Sequence, residues 1–463
     1  MSRLRTVMSV VVLAWPLVAA GQPGYQSGAG GAASSYTASS GFEEFKKNRL
    51  QGFTSYKEQV QKEFQQFAKL HDQVSAQYEK RISDVWAEPE QSSKTRWVHY
   101  EDGYRIKRVV DFEQQQIIWS TPKSEADNVD LSKQGARQML QALMVMTRRD
   151  AFEQDEVARE VEEQSRTQFK HLETATLDDT SAVLPAYLFG EGHVEKQRRD
   201  KAIAAMLAAG ERVTRNQHGQ EVIGWVFPLT AGEAKNTEAK PDPVTPPKQA
   251  PAPTESKPVF AQTEGAVWQT RAIQSGQREQ LPARARPFVA AINKENSEFE
   301  LSAELLLAII ETESAFNPMA KSSIPAFGLM QIVPASAGQD ATEKLFGKPR
   351  LLAPSYLYNA DNNIRIGAAY FNILYYRYFK GVDDPLSRLY CAIAAYNTGP
   401  GNVSLALTGK DMKLRPAIAV ANTMTPGQVY EHLLNNLPYE ETVNYLQKVT
   451  TRLSNYTEVL DNG

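Results

Sequence analysis

Cysteine is nearly absent from this sequence: Cys391 is the only one in 463 residues. That rules out an internal disulfide framework and any cysteine metal cluster. An excess of one charge is also lacking, and a net charge of −3 gives no reason to expect nucleic acid or an anionic membrane as partner. The six histidines (His71, His99, His171, His193, His218 and His432) are scattered without paired spacing. This argues against a histidine zinc site, and no metal or cofactor is expected. Long apolar runs are missing too. The stretch Val7 to Val18 is short for a membrane span. With Arg3 and Arg5 before it and Val18-Ala19-Ala20 at its end, residues 1–20 read as a secretory signal. The mature chain is expected to begin near Gly21. No cysteine follows the signal, so no lipid anchor is expected. The apolar run after Cys391 suggests a buried thiol.

The length implies more than one core. Residues 21–41 are rich in Gly, Ser and Ala and are expected to be disordered. From Phe42 the spacing of Phe42, Phe45, Phe53, Tyr56, Val60, Phe64, Phe67, Leu70, Val74, Tyr78, Ile82 and Val85 predicts a long helix. Its aromatic stripe is either the core of its own domain or a surface for a coiled-coil partner. Arg96 to Tyr100, a turn at Glu101-Asp-Gly103, and Tyr104 to Val110 predict a hairpin, with Gln116 to Trp119 as a third strand. Leu131 to Met146 and Ala151 to Leu172 read as helices, and Phe227 to Leu229 and Val267 to Thr270 as weak strands. Residues 42–233 thus form an α+β N-terminal domain. A Pro-rich linker or insertion (234–258) and a connecting segment (259–280) follow. Residues 281–455 are expected to be all-α, with helices at Ala285 to Asn296, Ala303 to Glu313, Asn362 to Arg377, Leu386 to Ala395 and Glu440 to Ser454.

The chemistry is expected in this last part. Leu305 to Ile310 is apolar on every side, a core helix, and Glu311 and Glu313 stand at its end before Asn317-Pro318. A carboxyl group at the edge of such a helix is partly desolvated, which raises its pKa and prepares it as a general acid; a surface glutamate is the bland alternative. Gly328-Leu-Met-Gln331 offers a flexible glycine and an amide. Asp361 to Tyr370 opens a helix with a capping candidate and a close-packing Gly367. Ala395-Tyr396-Asn397-Thr-Gly399 ends another helix on an aromatic ring and an amide, and Tyr445 lies on the last one. Rings and amides around one carboxyl group suit a sugar chain.

These motifs, in this order over roughly Leu281 to Ser454, resemble the lytic transglycosylases with a goose-type lysozyme (SLT) fold. Asn422 to Tyr430 and the preceding α+β region are similar to a membrane-bound branch of that family, whose members carry a lipidated cysteine that this chain lacks after its signal. The resemblance implies an all-α lysozyme-like catalytic domain, peptidoglycan glycan strands as substrate, and the periplasm of a Gram-negative bacterium. Loose association with the outer membrane or murein stays open. Glu313 matches the family's catalytic acid. Ser322 matches a serine that assists the reacting sugar, with a loop cap as the other reading. Met330 and Gln331 are expected to line the cleft, although Met330 also suits the core. Tyr396 and Asn397 match the substrate-binding pair, and Tyr445 the late tyrosine beside the acid. Glu311 points about 200° round the helix axis from Glu313 and is expected to be a solvated or capping charge.

A hydrolysing glycosidase ordinarily uses two carboxylates, and no second one stands in the motif cluster. The implied reaction needs one: Glu313 protonates the β-1,4 bond between N-acetylmuramic acid and N-acetylglucosamine, and the muramoyl C6 hydroxyl closes a 1,6-anhydro ring. A goose-type lysozyme hydrolysing the same bond and a non-catalytic murein-binding protein are the alternatives. The N-terminal domain has no catalytic role assigned and is a candidate surface for an envelope protein partner.

Overall fold

The structure, a computed structural model, describes residues 35–231 and 270–461. The signal, the Pro-rich segment and Val267 to Gln269 lie outside them. Chain contacts divide the protein into a unit ending at Thr54 and a unit from Ser55 to Gly463. In the first, the described residues are the beginning of helix α1 (Ser35–Ser83). The helix therefore starts at Ser35, within the stretch expected to be disordered; the side chains of Phe42, Phe45 and Phe53 are outside the described residues.

In the second unit, Val60, Phe64, Phe67, Leu70, Val74, Tyr78 and Ile82 of α1 are all buried. Steps of three and four put them on one face, and that face enters a core rather than a coiled coil. The core is shared with the C-terminal part, since the His71 ring meets Phe327 edge-on at 6.2 Å. Strands β1 (Arg96–Glu101), β2 (Ile106–Asp111) and β3 (Gln116–Pro122) form the expected meander. Its first turn holds Asp102, Gly103 and Tyr104 at positive φ.

Helices α2 (Lys133–Leu143), α3 (Arg148–Glu153) and α4 (Glu156–Gln168) follow. The short strand β4 (Leu172–Glu173) leads to α5 (Val183–Phe189) and α6 (Lys196–Ala209). Strands β5 (Glu211–Arg215) and β6 (Glu221–Pro228) complete an antiparallel sheet of order β1-β2-β3-β6-β5, with Trp119 opposite Trp225.

The C-terminal part is helical: α7 (Ser275–Gln280), α8 (Val289–Phe299), α9 (Ala303–Ser314) and α10 (Ala337–Phe346). After β7 (Leu351–Leu352) come α11 (Pro354–Tyr358), α12 (Ala360–Ile373) and α13 (Pro385–Thr398). The chain ends with α14 (Pro400–Thr408), α15 (Leu414–Ala421), α16 (Pro426–Asn436) and α17 (Glu440–Asp461). Strand β7 pairs in parallel with β4, so the two parts share a ladder.

Two buried polar clamps join them as well. Glu162 of α4 accepts hydrogen bonds from the amide and hydroxyl of Ser355, both at 2.8 Å. Lys321 donates to both oxygens of Asp155 at 2.8 and 2.9 Å, with both residues buried. Among the described residues, no helix is long and apolar enough to cross a membrane.

Candidate active site

Helix α9 is capped by Ser302, whose hydroxyl accepts from the Leu305 amide at 3.1 Å. Leu305 to Ile310 are buried completely, as an all-round apolar helix requires. The helix does not run to Asn317-Pro318. It ends at Ser314, because Ala315 (φ 50°) and Phe316 (φ 63°) turn left-handed. Phe316 is held there by stacking on Phe288, with ring centroids 6.3 Å apart.

The two glutamates of this helix meet opposite surroundings. Glu311 is neither solvated nor a cap. It accepts from Arg284 at 3.1 Å and from the Tyr456 hydroxyl at 3.0 Å, and Arg452 lies at 3.5 Å. Glu313 is 4% exposed. Burial pushes its pKa upward, and the ammonium of Lys94, 3.6 Å away, pulls against that without cancelling it. The result is a carboxyl group that keeps its proton more readily than a free one.

Around Glu313 stand Tyr445 of α17 and Tyr396 of α13, whose phenols its charge helps to hold far above their ordinary pKa after burial. The Tyr445 hydroxyl is buried beside Glu313 without a hydrogen bond of ordinary geometry. Tyr396 donates to the Met330 carbonyl at 2.9 Å. Asn397 is tied to α17 by Thr442, whose hydroxyl donates to its side-chain oxygen at 2.7 Å.

Gly328-Leu-Met-Gln331 is a loop held by Asn363 of α12. The Asn363 amide donates to the carbonyls of Phe327 and Leu357 and accepts from the Met330 amide at 2.7 Å. Gly328 is at φ 76°, and a Cβ there would lie 2.3 Å from both Asn363 and Leu357, so the position requires glycine. Gln331 is buried; it donates to the Gly328 carbonyl at 3.0 Å, and its side-chain oxygen has no hydrogen-bond partner in the protein.

Met330 and Ser322 make contacts within the protein. Met330 is fully buried, and a Cβ on Gly367 would lie 2.3 Å from its sulfur, so it packs as core. Ser322 donates its hydroxyl back to the Ile324 carbonyl, the local bond of a loop cap. The cap of α12 is Asn359, accepting from the Asn362 amide at 3.1 Å, and not Asp361. Cys391 is buried, which pushes its thiol pKa up to about 12.

Two charged groups at the site escaped sequence reasoning. Lys94 precedes β1, in a region with no assigned chemistry. Its ammonium also meets Glu441 of α17 at 3.3 Å, a second carboxylate near the acid. No local pattern marks either residue. A separate cavity of about 240 Å³ is lined by Arg148, Tyr187, Arg284, Phe288, Phe316 and Asp361, and Glu313 is not among its lining residues. Among the described residues, no cluster of three metal-ligating side chains occurs.

With this geometry in view, residues 290–415 match the transglycosylase SLT domain. Residues 59–161 match the N-terminal domain of membrane-bound lytic murein transglycosylase C. Both regions are similar to lytic murein transglycosylases. The membrane-bound lytic murein transglycosylases C of Pectobacterium atrosepticum and Klebsiella pneumoniae are each 39% identical over 176 residues, which is 38% of this chain and 48% of theirs. The chain thus spans about half the length of these curated relatives. The 70 kDa soluble lytic transglycosylase Slt70 of Escherichia coli is 25% identical, covering 38% of this chain and 26% of its own, with a TM-score of 0.29. The matched SLT region contains Glu313, Gln331, Tyr396 and Asn397; the matched N-terminal region contains Lys94.

Proposed function

We propose that the chain is a peptidoglycan lytic transglycosylase with Glu313 as its single acid and base. The observation that carries this reading is a lone buried carboxyl group, 4% exposed and raised in pKa, between two tyrosines and an amide-bearing helix end. The SLT match over 290–415 and the likeness to murein transglycosylases C support the substrate class.

Glu313 gives its proton to the glycosidic oxygen between N-acetylmuramic acid and N-acetylglucosamine, and that C–O bond breaks. The muramoyl N-acetyl group stabilises the resulting sugar cation. The Glu313 carboxylate then takes the proton of the muramoyl C6 hydroxyl as its oxygen bonds to C1, closing the 1,6-anhydro ring. No water is consumed, and the acid is regenerated. Tyr396, Asn397 and Gln331 are the proposed sugar contacts, with the unpartnered Gln331 oxygen as an acceptor. The envelope of a Gram-negative bacterium is the proposed setting, in keeping with the names of the relatives.

Digestion of purified sacculi followed by mass spectrometry of the muropeptides tests this. Anhydro ends are expected, and Glu313→Gln should lower turnover by about 10²–10⁴-fold with an unchanged fold. Reducing ends would replace the lyase by a hydrolase, and murein binding without cleavage would leave a scaffold.

A further inference from the structure

We propose that Lys94, from the N-terminal region, is a positioning residue of the catalytic centre: its ammonium orients Glu313 and stabilises the charge that appears there when the proton leaves. This deepens the function proposed above and rests on Glu313 being the proton donor.

The geometry is specific. The Lys94 ammonium lies 3.6 Å from a Glu313 oxygen and 3.3 Å from Glu441. Its backbone is fixed on both sides of the turn that follows the acid. The Asn317 amide donates to the Lys94 carbonyl at 3.4 Å, and the Lys321 backbone N–H donates to the Ser93 carbonyl at 3.3 Å. Lys321 is in turn clamped to Asp155 of the N-terminal region.

A cation at this place suits the proposed chemistry. Glu313, itself 4% exposed, alternates between a neutral acid and a carboxylate. Burial alone would make it so weak an acid that proton transfer to the sugar oxygen loses its driving force. A cation nearby offsets the cost of the carboxylate and leaves the acid form in place before reaction. The groups facing Glu313 are Lys94 before β1, Tyr396 on α13, and Glu441 and Tyr445 on α17. Lys94 favours the carboxylate, and Glu441 opposes it.

These opposite signs supply the test. The full chain and its Lys94→Met, Lys94→Arg, Glu441→Gln and Glu313→Gln variants are assayed on sacculi from pH 4 to 9, with thermal melts confirming folding. Lys94→Met should lower kcat about 10- to 100-fold while KM stays within about threefold. The alkaline limb of its kcat/KM profile should move to higher pH, because Glu313 loses the cation that acidifies it. Lys94→Arg should restore most of kcat. Glu441→Gln should move the limb to lower pH. The inference is overturned if Lys94→Met keeps the wild-type kcat and limb, gains activity, or shifts the limb in the same direction as Glu441→Gln. Equal rates for the wild type and Glu313→Gln would instead overturn the function on which it rests.

Discussion

The ion pair between Lys321 and Asp155 should be the most costly single contact to break between the two parts of the unit. Both residues are buried, and the ammonium reaches both carboxylate oxygens, at 2.8 and 2.9 Å. Asp155 has another duty: it caps α4 by accepting from the Ala158 amide at 3.1 Å. In Lys321→Met the carboxylate keeps that single N–H partner and loses its counter-charge in a place water hardly reaches. Removing one member of a buried pair costs about 3–5 kcal/mol, a large share of the roughly 5–15 kcal/mol that holds a typical domain. In Lys321→Met/Asp155→Asn no charge is left unpaired and an amide oxygen still caps the helix, so the loss should shrink to about 1–2 kcal/mol. Equilibrium urea unfolding at pH 7, followed by circular dichroism, measures the wild type and both variants. The reasoning is refuted if Lys321→Met costs less than about 1 kcal/mol, or if the double variant is no more stable than Lys321→Met.

Gly328→Ala should destabilise by about 3–5 kcal/mol, since left-handed alanine costs about 1–2 and the Asn363 hydrogen bonds must give way at about 1 each; a urea melt matching the wild type would refute it. His71 and His99 are both held down to a pKa of about 4, chiefly by burial. Below their ordinary 6.5 the unfolded chain gains protons that the folded one refuses, so stability should fall from pH 6.5 towards 4 by about 1.4 kcal/mol per pH unit for each. Urea midpoints between pH 7 and 4.5 should decline less steeply in His71→Gln than in the wild type, and equal slopes would count against the assignment.

Much of this architecture could be read locally. The three- and four-residue steps of Val60 to Ile82 mark one helix face, and the Asp-Gly turn between alternating segments marks the first hairpin. Other features depend on partners far along the chain. Strand β6 is ordered by pairing with β3, over a hundred residues earlier, and the two-residue ladder of β4 with β7 has no signature of its own. Helix α14 begins at Pro400, directly after Gly399, where two breakers read as an end rather than a new start. At the site, residue types were easier to foresee than directions. Met330 and Tyr396 share a motif cluster with Glu313, but the close approach of Gly367 draws the Met330 side chain into the core. Lys94 was invisible because its meaning comes from position 313.

The turn after Glu313 connects these observations. Ala315 and Phe316 are both left-handed without being glycine, a geometry that costs about 1–2 kcal/mol per residue. Burial of the Phe316 ring, stacked on Phe288, offsets about 2–3 kcal/mol of that. What the strained reversal achieves is placement. It stops α9 at Ser314, so Glu313 stands on the last turn of a buried helix instead of in its middle. It also swings Asn317 round to meet the Lys94 carbonyl. A regular helical continuation would carry Asn317 away from that segment, and the cation would lose its anchor. The backbone strain, the buried acid and the lysine from the N-terminal region are therefore parts of one arrangement, in which each explains why the others can persist.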